Sequence, residues 1–155
     1  MSATASVNIS MPPSVWGPIF WHAMHIASLG YPVQPTEVDK AGMKAFFESL
    51  QTVIPCPVCR EHYKQHLKEM PVDEARGSRG DLVFWVWTLH NSVNRMLDKP
   101  EYSLDAFIEH MQALGSGGGG YGIKGVNPMH VGMGVGAGLL VGGVLTYVFY
   151  KKLRT

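Results

Sequence analysis

The sequence predicts an all-α fold: a four-helix bundle with a short fifth helix, followed by a C-terminal transmembrane helix. Apolar residues recur at helical spacing from residue 14 to residue 114, in segments of about 12 to 18 residues separated by Pro, Gly or charged turns. Convincing period-2 runs, which would indicate strands, do not occur there. An uncharged stretch near the C-terminus supplies the membrane helix.

The first two helices are predicted from their start and stop signals. Ser14 is expected to cap the first helix, which runs to about Leu29 and stops at a Gly-Tyr-Pro sequence. Thr36 and Asp39 have the spacing of a capping box, which predicts a second helix that continues to about Val53. Pro55 ends it.

The third helix should begin within residues 56–59, Cys-Pro-Val-Cys, because proline suits the first helical turn, and it should end at Met70. After a polar loop, Asp81 is expected to start a strongly apolar fourth helix that reaches Leu97. Ser103 should cap a short fifth helix.

The chain therefore divides into five predicted segments. They are a flexible N-terminus 1–12, a helical domain 13–114, a Gly-rich linker 115–128, a transmembrane helix 129–150 and a basic tail 151–155.

The membrane helix is predicted from twenty uncharged residues at 131–150, followed at once by Lys151, Lys152 and Arg154. The alternative is a disordered tail, because six glycines in that stretch lower its helix propensity. Glycines repeat there at four-residue spacing, which would allow two such helices to pack closely. We expect a membrane-anchored protein whose catalytic domain faces the cytosol, since no secretory signal precedes it.

Charge and composition exclude other classes. The formal net charge is +1, with nine Lys/Arg against twelve Asp/Glu in residues 1–114 (9 − 12 = −3) and four Lys/Arg without an acid in residues 115–155. No basic stripe with interleaved aromatics occurs in the acidic body, so nucleic acid is not an expected partner. Two cysteines three positions apart cannot form a scaffold of several disulfides.

The cysteine pair allows two chemistries. Cys56 and Cys59 at the start of a helix can form a redox disulfide, because a helix N-terminus stabilises a thiolate. The same pair with His62 and His66 could instead bind zinc, as in a small interaction module. Only two residues separate the cysteines from the first histidine, whereas zinc fingers have about a dozen, and this favours redox chemistry.

A dithiol that is oxidised catalytically must pass two electrons to a cofactor, and two helix faces suit a flat heteroaromatic one. The faces carry Gly17, Trp21 and His25 on the first helix, and Trp87, His90, Asn91 and Asn94 on the fourth. Each aromatic or histidine alone is more often a core residue. Buried amides, however, destabilise a protein unless they are paired, so the two asparagines favour a site. A third hypothesis is a membrane-anchored structural protein with incidental cysteines.

The ordered combination of these motifs resembles the Erv/ALR sulfhydryl oxidases, including members encoded by large cytoplasmic DNA viruses. The resemblance covers residues 13–114. The matching stretches are Trp16-Gly17-Pro18 with Trp21 and His25, Cys56-Pro57-Val58-Cys59 with His62, and Trp85 and His90-Asn91-Ser92-Val93-Asn94 through Leu97, Lys99 and Tyr102.

The resemblance implies a flavin-dependent thiol oxidase that forms disulfides in protein substrates and passes electrons through FAD to dioxygen, with release of hydrogen peroxide. Cys59 would lie beside the flavin, and Cys56 would receive the substrate thiol. The residues implied to bind FAD are Gly17, Trp21, His25, Cys59, His62, His90, Asn91, Val93, Asn94, Leu97, Lys99 and Tyr102.

The resemblance also implies a homodimer. Many relatives carry a shuttle pair and a structural pair of cysteines that this chain lacks. Substrate is therefore expected to reach Cys56 directly, for example from a thioredoxin-like relay protein, and the dimer is expected to be noncovalent. If the protein is viral, its membrane would be that of the host cell or the virion.

Overall fold

The computed structural model describes residues 11–116. Within them the chain forms five α-helices and one turn of 3₁₀ helix, so the all-α prediction is confirmed for this part of the chain. The elements are α1 Pro13–Gly30, α2 Glu37–Val53, α3 Pro57–Glu69, the 3₁₀ turn Val72–Glu74, α4 Arg79–Met96 and α5 Leu104–Gly115.

The predicted transmembrane helix 129–150 and basic tail 151–155 lie outside the described residues, as does all but the start of the predicted linker. Gly115, predicted to open that linker, is the last residue of α5. Among the helices of residues 11–116, none has both the length and the apolar character needed to cross a membrane.

Two predicted helix starts are confirmed. Thr36 caps α2 through a complete capping box: its Oγ1 accepts from the backbone N–H of Asp39 at 3.2 Å, and its own N–H donates to the Asp39 carboxylate at 2.8 Å. Ser103 caps α5 by accepting from the backbone N–H of Ala106 at 3.1 Å. Both caps pair N–H groups that a helix start otherwise leaves unsatisfied.

Two other starts differ from the prediction. Ser14 does not cap α1, because the helix already begins at Pro13 and its N-cap is Pro12, with no side-chain hydrogen bond. Proline fits this first position since it has no N–H to satisfy. α4 begins two residues before Asp81, because the Ser78 hydroxyl accepts the Asp81 backbone N–H at 3.2 Å.

The chain separates into two compact units, residues 1–89 and residues 90–155. In the first unit, α2 packs against α3. Its core contains the fully buried rings of Phe47 and Trp85, whose centroids lie 4.9 Å apart in an edge-to-face arrangement. The Trp85 Nε1–H donates to the Met70 carbonyl, and the Tyr63 hydroxyl donates to the Phe47 carbonyl, each at 3.0 Å.

These contacts fix α3, the helix that starts at the cysteines, at several points along its length. Tyr63 bonds the middle of α3 to α2, and Met70, the C-cap of α3, accepts from α4. Near the cysteines, Arg60 Nη1 donates to the Thr52 carbonyl at 3.0 Å in the last turn of α2. The first turn of α3 is therefore held in a defined position in this unit.

The described part of the second unit is residues 90–116: the last two turns of α4, the loop 97–103 and α5. Phe107 of α5 is buried, as are His90, Asn91 and Asn94 of α4.

Candidate active site

Cys56 and Cys59 form a disulfide at the N-terminus of α3, with their Cα atoms 5.2 Å apart. Cys56 is the N-cap residue and Cys59 lies in the first turn, so proline at position 57 occupies the first helical position as predicted. Both cysteines are half-buried. The bond is thus partly accessible and sits on a rigid element.

The helix start stabilises negative charge on the sulfur of Cys56. The backbone N–H of Cys59 donates to the Cys56 Sγ at 3.2 Å. When the disulfide opens, this N–H and the positive end of the α3 dipole favour the thiolate over the thiol at Cys56. The sulfur that a helix N-cap would activate is therefore the one expected to exchange with substrate.

The exposed side chains that precede and separate the two cysteines are mostly apolar. Residues 52–59 carry no charged side chain. Val53 and Val58 are 54% and 63% exposed, and Pro55 and Pro57 are also exposed. A thiol of another protein that approaches Cys56 here meets apolar side chains, while the Arg60 guanidinium is held on the Thr52 carbonyl.

The predicted face of α1 is formed in the first unit. Trp21 and His25 stack with ring centroids 6.2 Å apart and planes inclined by 29°. His25 is buried and Trp21 half-buried. A Cβ built on Gly17, one turn earlier, would meet no other atom within 4 Å, so the space beside this glycine is open and the described chain itself does not require glycine there.

The two histidines of α3 differ in their environment. His62 is exposed, whereas both ring nitrogens of His66 are shielded from solvent and make no hydrogen bond within residues 11–116. Burial lowers the pKa of His66, with a smaller contribution from nearby His62 and an opposing one from Glu69. Among the described residues, no three metal-binding side chains converge, so the zinc alternative gains no support.

The polar cluster on α4, formed by His90, Asn91 and Asn94, lies in the second unit and is hydrogen-bonded to the loop that follows α4. The Asn91 Nδ2 donates to the Tyr102 carbonyl at 2.9 Å, and the Tyr102 N–H donates to the Asn91 Oδ1 at 2.9 Å. The rings of His90 and Tyr102 lie 5.6 Å apart, and burial raises the pKa of the Tyr102 phenol. Asn94 is only loosely joined to Asn91, at 3.5 Å.

The loop after α4 begins with a tight turn. The N–H of Asp98 donates to the Arg95 carbonyl at 3.2 Å and the N–H of Lys99 donates to the Asn94 carbonyl at 2.8 Å, the pattern of a Schellman C-cap. Asp98 occupies the left-handed position, with φ 51°. Leu97 and Lys99, both predicted to bind a cofactor, are exposed on this turn.

The structure thus groups the predicted residues by unit. In the first unit, Gly17, Trp21 and His25 share α1, and Cys59 and His62 share α3. In the second, Asn91 and His90 both meet Tyr102, and Lys99 is bonded to Asn94, while Val93 is half-buried on the same helix.

One ion pair near the polar cluster of α4 was missed by reasoning from the sequence. Arg95 and Glu101 form a bidentate ion pair at 2.9 and 2.7 Å across the loop after α4. A spacing of six residues does not predict a contact within a helix, since side chains that interact on one helix face are three or four residues apart. The only available signal was that a turn between the two residues would reverse the chain.

These features define a class: a helical protein with a partly accessible disulfide at a helix N-terminus and a stacked Trp–His pair in the same unit. The sequence profile of the Erv1 / Alr family matches residues 18–112, more than half of the chain. The chain belongs to the Erv1 / Alr family.

Relatives of known name agree with this assignment. An FAD-linked sulfhydryl oxidase of Acanthamoeba polyphaga mimivirus is 43% identical over 97 residues, 59% of this chain and 68% of that protein. One of Invertebrate iridescent virus 3 is 30% identical over 93 residues, 60% of this chain and 63% of that protein. The mitochondrial FAD-linked sulfhydryl oxidase of Saccharomyces cerevisiae is 34% identical over 94 residues, 59% of this chain and 48% of that protein. The chain therefore spans between 48% and 68% of these relatives.

Solved structures show the same fold. The crystal structure of the yeast Erv1 core superposes with a TM-score of 0.58 at 28% identity, covering 66% of this chain and 85% of that chain. The crystal structure of the FAD binding domain of Erv1 from Saccharomyces cerevisiae gives a TM-score of 0.58 at 30% identity, covering 61% of this chain and 88% of that chain.

Proposed function

We propose that this chain is an FAD-linked sulfhydryl oxidase, which oxidises thiols of protein substrates to disulfides and passes the electrons through FAD to dioxygen, forming hydrogen peroxide. The Cys56–Cys59 disulfide at the N-terminus of α3, in a chain of the Erv1 / Alr family, carries this proposal. FAD, when bound, supplies the two-electron carrier between the dithiol and dioxygen.

The described residues fit such a cofactor. Open space lies beside Gly17, on the helix that carries the stacked Trp21 and His25, and a flat ring system suits such a surface. Lys99 adds an exposed positive charge suited to the diphosphate. We assign FAD binding to the residues expected from the sequence: Gly17, Trp21, His25, Cys59, His62, His90, Asn91, Val93, Asn94, Leu97, Lys99 and Tyr102.

The cysteines perform a thiol–disulfide exchange. A substrate thiolate attacks the Sγ of Cys56, the bond to Cys59 breaks, and Cys59 leaves as a thiolate. A second substrate thiol, after losing its proton, attacks the substrate sulfur of the mixed disulfide and releases oxidised substrate and the Cys56 thiolate. The N–H of Cys59 that bonds the Cys56 Sγ makes Cys56 a good leaving group in this second step.

The substrates are protein thiols that reach Cys56 directly, because this chain has no further cysteine to act as a shuttle. A thioredoxin-like relay protein with a small exposed dithiol is one such substrate. The exposed apolar side chains of Val53 and Val58 favour a partner whose cysteines are flanked by apolar residues. The enzyme acts as a noncovalent homodimer.

The proposal includes the bundle of four helices with a short fifth, the domain bounds 13–114 and a membrane anchor at 129–150. The anchor rests on the uncharged stretch and its basic flank. The basic flank alone would favour a cytosolic C-terminus, but the catalytic domain is placed on the cytosolic side because a tail of five residues is the smaller load to translocate. Deletion after Gly120 should release an active enzyme from membranes. Full-length protein recovered without membranes would contradict the anchor.

The function is tested by oxygen consumption with a dithiol substrate. We expect flavin absorbance in the purified protein, and loss of at least ~10³-fold in turnover for Cys56→Ser and Cys59→Ser with FAD still bound. Gln65→Ala is the matched control, because this exposed side chain on the same helix bonds only to Glu69. Undiminished turnover in Cys59→Ser would refute the assigned mechanism, and a colourless protein would refute the cofactor.

A further inference from the structure

The side-chain amide of Asn91 forms two hydrogen bonds with the backbone of a single residue, Tyr102. Its Nδ2 donates to the carbonyl of Tyr102, and its Oδ1 accepts the N–H of the same residue, both at 2.9 Å. The side chain is 4% exposed, so water does not compete for these bonds. Asn91 therefore fixes the chain at a point eleven residues further on, as a neighbouring strand would.

The loop between these two residues is also fixed at its other end. The C-cap of α4 holds the N–H of Lys99 on the Asn94 carbonyl at 2.8 Å, with Asp98 in the left-handed conformation. The bidentate pair of Arg95 and Glu101 closes across the same loop. Only Pro100 and Glu101 separate the two backbone attachments at Lys99 and Tyr102.

Lys99 is the cation that this loop presents. It is exposed, and it makes no ion pair with any residue in 11–116. A lysine on a mobile loop loses much conformational freedom when it binds an anion, whereas one on a loop fixed at both ends loses less. The geometry of the loop thus bears directly on how well Lys99 can bind a phosphate group.

We propose that Asn91 is a positioning residue for FAD, acting through the loop 97–102 that presents Lys99 to the diphosphate, a role that rests on the proposed function. This role replaces the direct contact with FAD assigned to Asn91 above, because one Nδ2–H and the Oδ1 of its amide are engaged by Tyr102. Asn94, whose amide has only the 3.5 Å contact to Asn91, is the better candidate for direct contact.

Asn91→Leu tests this role, since leucine has a similar volume and neither polar group. The dissociation constant of FAD is measured by the quenching of flavin fluorescence on titration of the apoprotein. We expect it to rise about tenfold. In the wild type, FAD affinity should fall between about 0.1 M and about 1 M salt because salt screens Lys99. In Asn91→Leu this salt dependence should be much smaller.

Ser103→Ala is the matched control. It removes the cap of α5 at the residue next to Tyr102, and so lowers stability without releasing Tyr102 from Asn91. We expect its FAD affinity to stay within about twofold of the wild type at a comparable loss of melting temperature. Circular dichroism establishes that each variant folds, and Asn91→Ser replaces Asn91→Leu if the latter does not.

A double-mutant cycle with Lys99→Ala separates positioning from direct binding. If Asn91 acts through Lys99, Asn91→Leu should weaken FAD binding less than about threefold once Lys99 is absent. An equal loss in both backgrounds, or wild-type affinity in Asn91→Leu, would overturn the positioning role. A wild-type protein that binds no FAD would instead overturn the proposed function itself, so the two failures are distinct.

Discussion

Trp85→Phe should remove the hydrogen bond at the C-terminal end of α3, the helix that starts at the redox disulfide, and so lower the free energy of unfolding. The indole of Trp85 is fully buried, and its Nε1–H donates at 3.0 Å to the carbonyl of Met70, the C-cap of α3. Phenylalanine keeps an aromatic ring against Phe47 and removes the donor. The Met70 carbonyl then stays buried without this partner, which costs about 1–3 kcal/mol.

The smaller ring adds a second loss. Replacing an indole by a phenyl group leaves a void three heavy atoms large, which costs about 1 kcal/mol. The total is about 2–4 kcal/mol of unfolding free energy. For a domain of this size, each kcal/mol lowers the melting temperature by about 4–8 °C. Urea and thermal denaturation followed by circular dichroism measure both quantities.

Tyr63→Phe is the control that isolates the orphaned carbonyl. The Tyr63 hydroxyl is also buried and donates at 3.0 Å, but its acceptor, the carbonyl of Phe47, lies in the middle of α2 and keeps its helical hydrogen bond. Only about 0.5–1.5 kcal/mol should be lost. If Trp85→Phe were no more destabilising than Tyr63→Phe, the reasoning about the Met70 carbonyl would be refuted.

Two further predictions concern the turn after α4 and the buried histidine of α3. Asp98→Gly should raise the unfolding free energy by about 0.5–1 kcal/mol in urea denaturation, because φ 51° strains a residue with a Cβ; a lower midpoint would contradict this. His66 should make the fold less stable in acid: the unfolded chain binds a proton near pH 6.5, which the buried imidazole, with its lowered pKa, resists. This contribution to the unfolding free energy is fully present above that pH and is lost as the pH falls through the folded pKa. His66→Phe should therefore lose less stability than the wild type between about pH 7.5 and about pH 5. Parallel curves of unfolding free energy against pH for the two proteins would contradict the assignment.

Helix positions were predictable where the capping residue and the start of the apolar pattern coincide. Thr36 with Asp39 and Ser103 mark their helix starts by local hydrogen bonds that involve no distant residue. Ser14 failed as a cap because Pro12 and Pro13 already fix the backbone in front of it. Ser78 was overlooked because it lies in a polar loop, where a capping serine resembles its neighbours.

The sequence predicted which residues belong to the candidate site, but it did not predict which contacts each of them makes. The spacing of Cys56 and Cys59 predicts a disulfide at a helix start, since that geometry depends on four consecutive residues. The asparagines were expected to act alike. In the structure Asn91 bonds the backbone of Tyr102, whereas Asn94 is left largely available.

The sequence by itself determined that this is a helical protein with a redox-active Cys-Pro-Val-Cys at the start of α3, because helix periodicity, caps and a four-residue disulfide are local properties of the chain. Only the tertiary structure decided which polar side chains are already paired. Asn91 meets Tyr102 because Asp98 adopts a left-handed conformation and the chain turns back after α4. That pairing joins residues eleven positions apart across a turn, a spacing that helix periodicity and capping patterns do not specify.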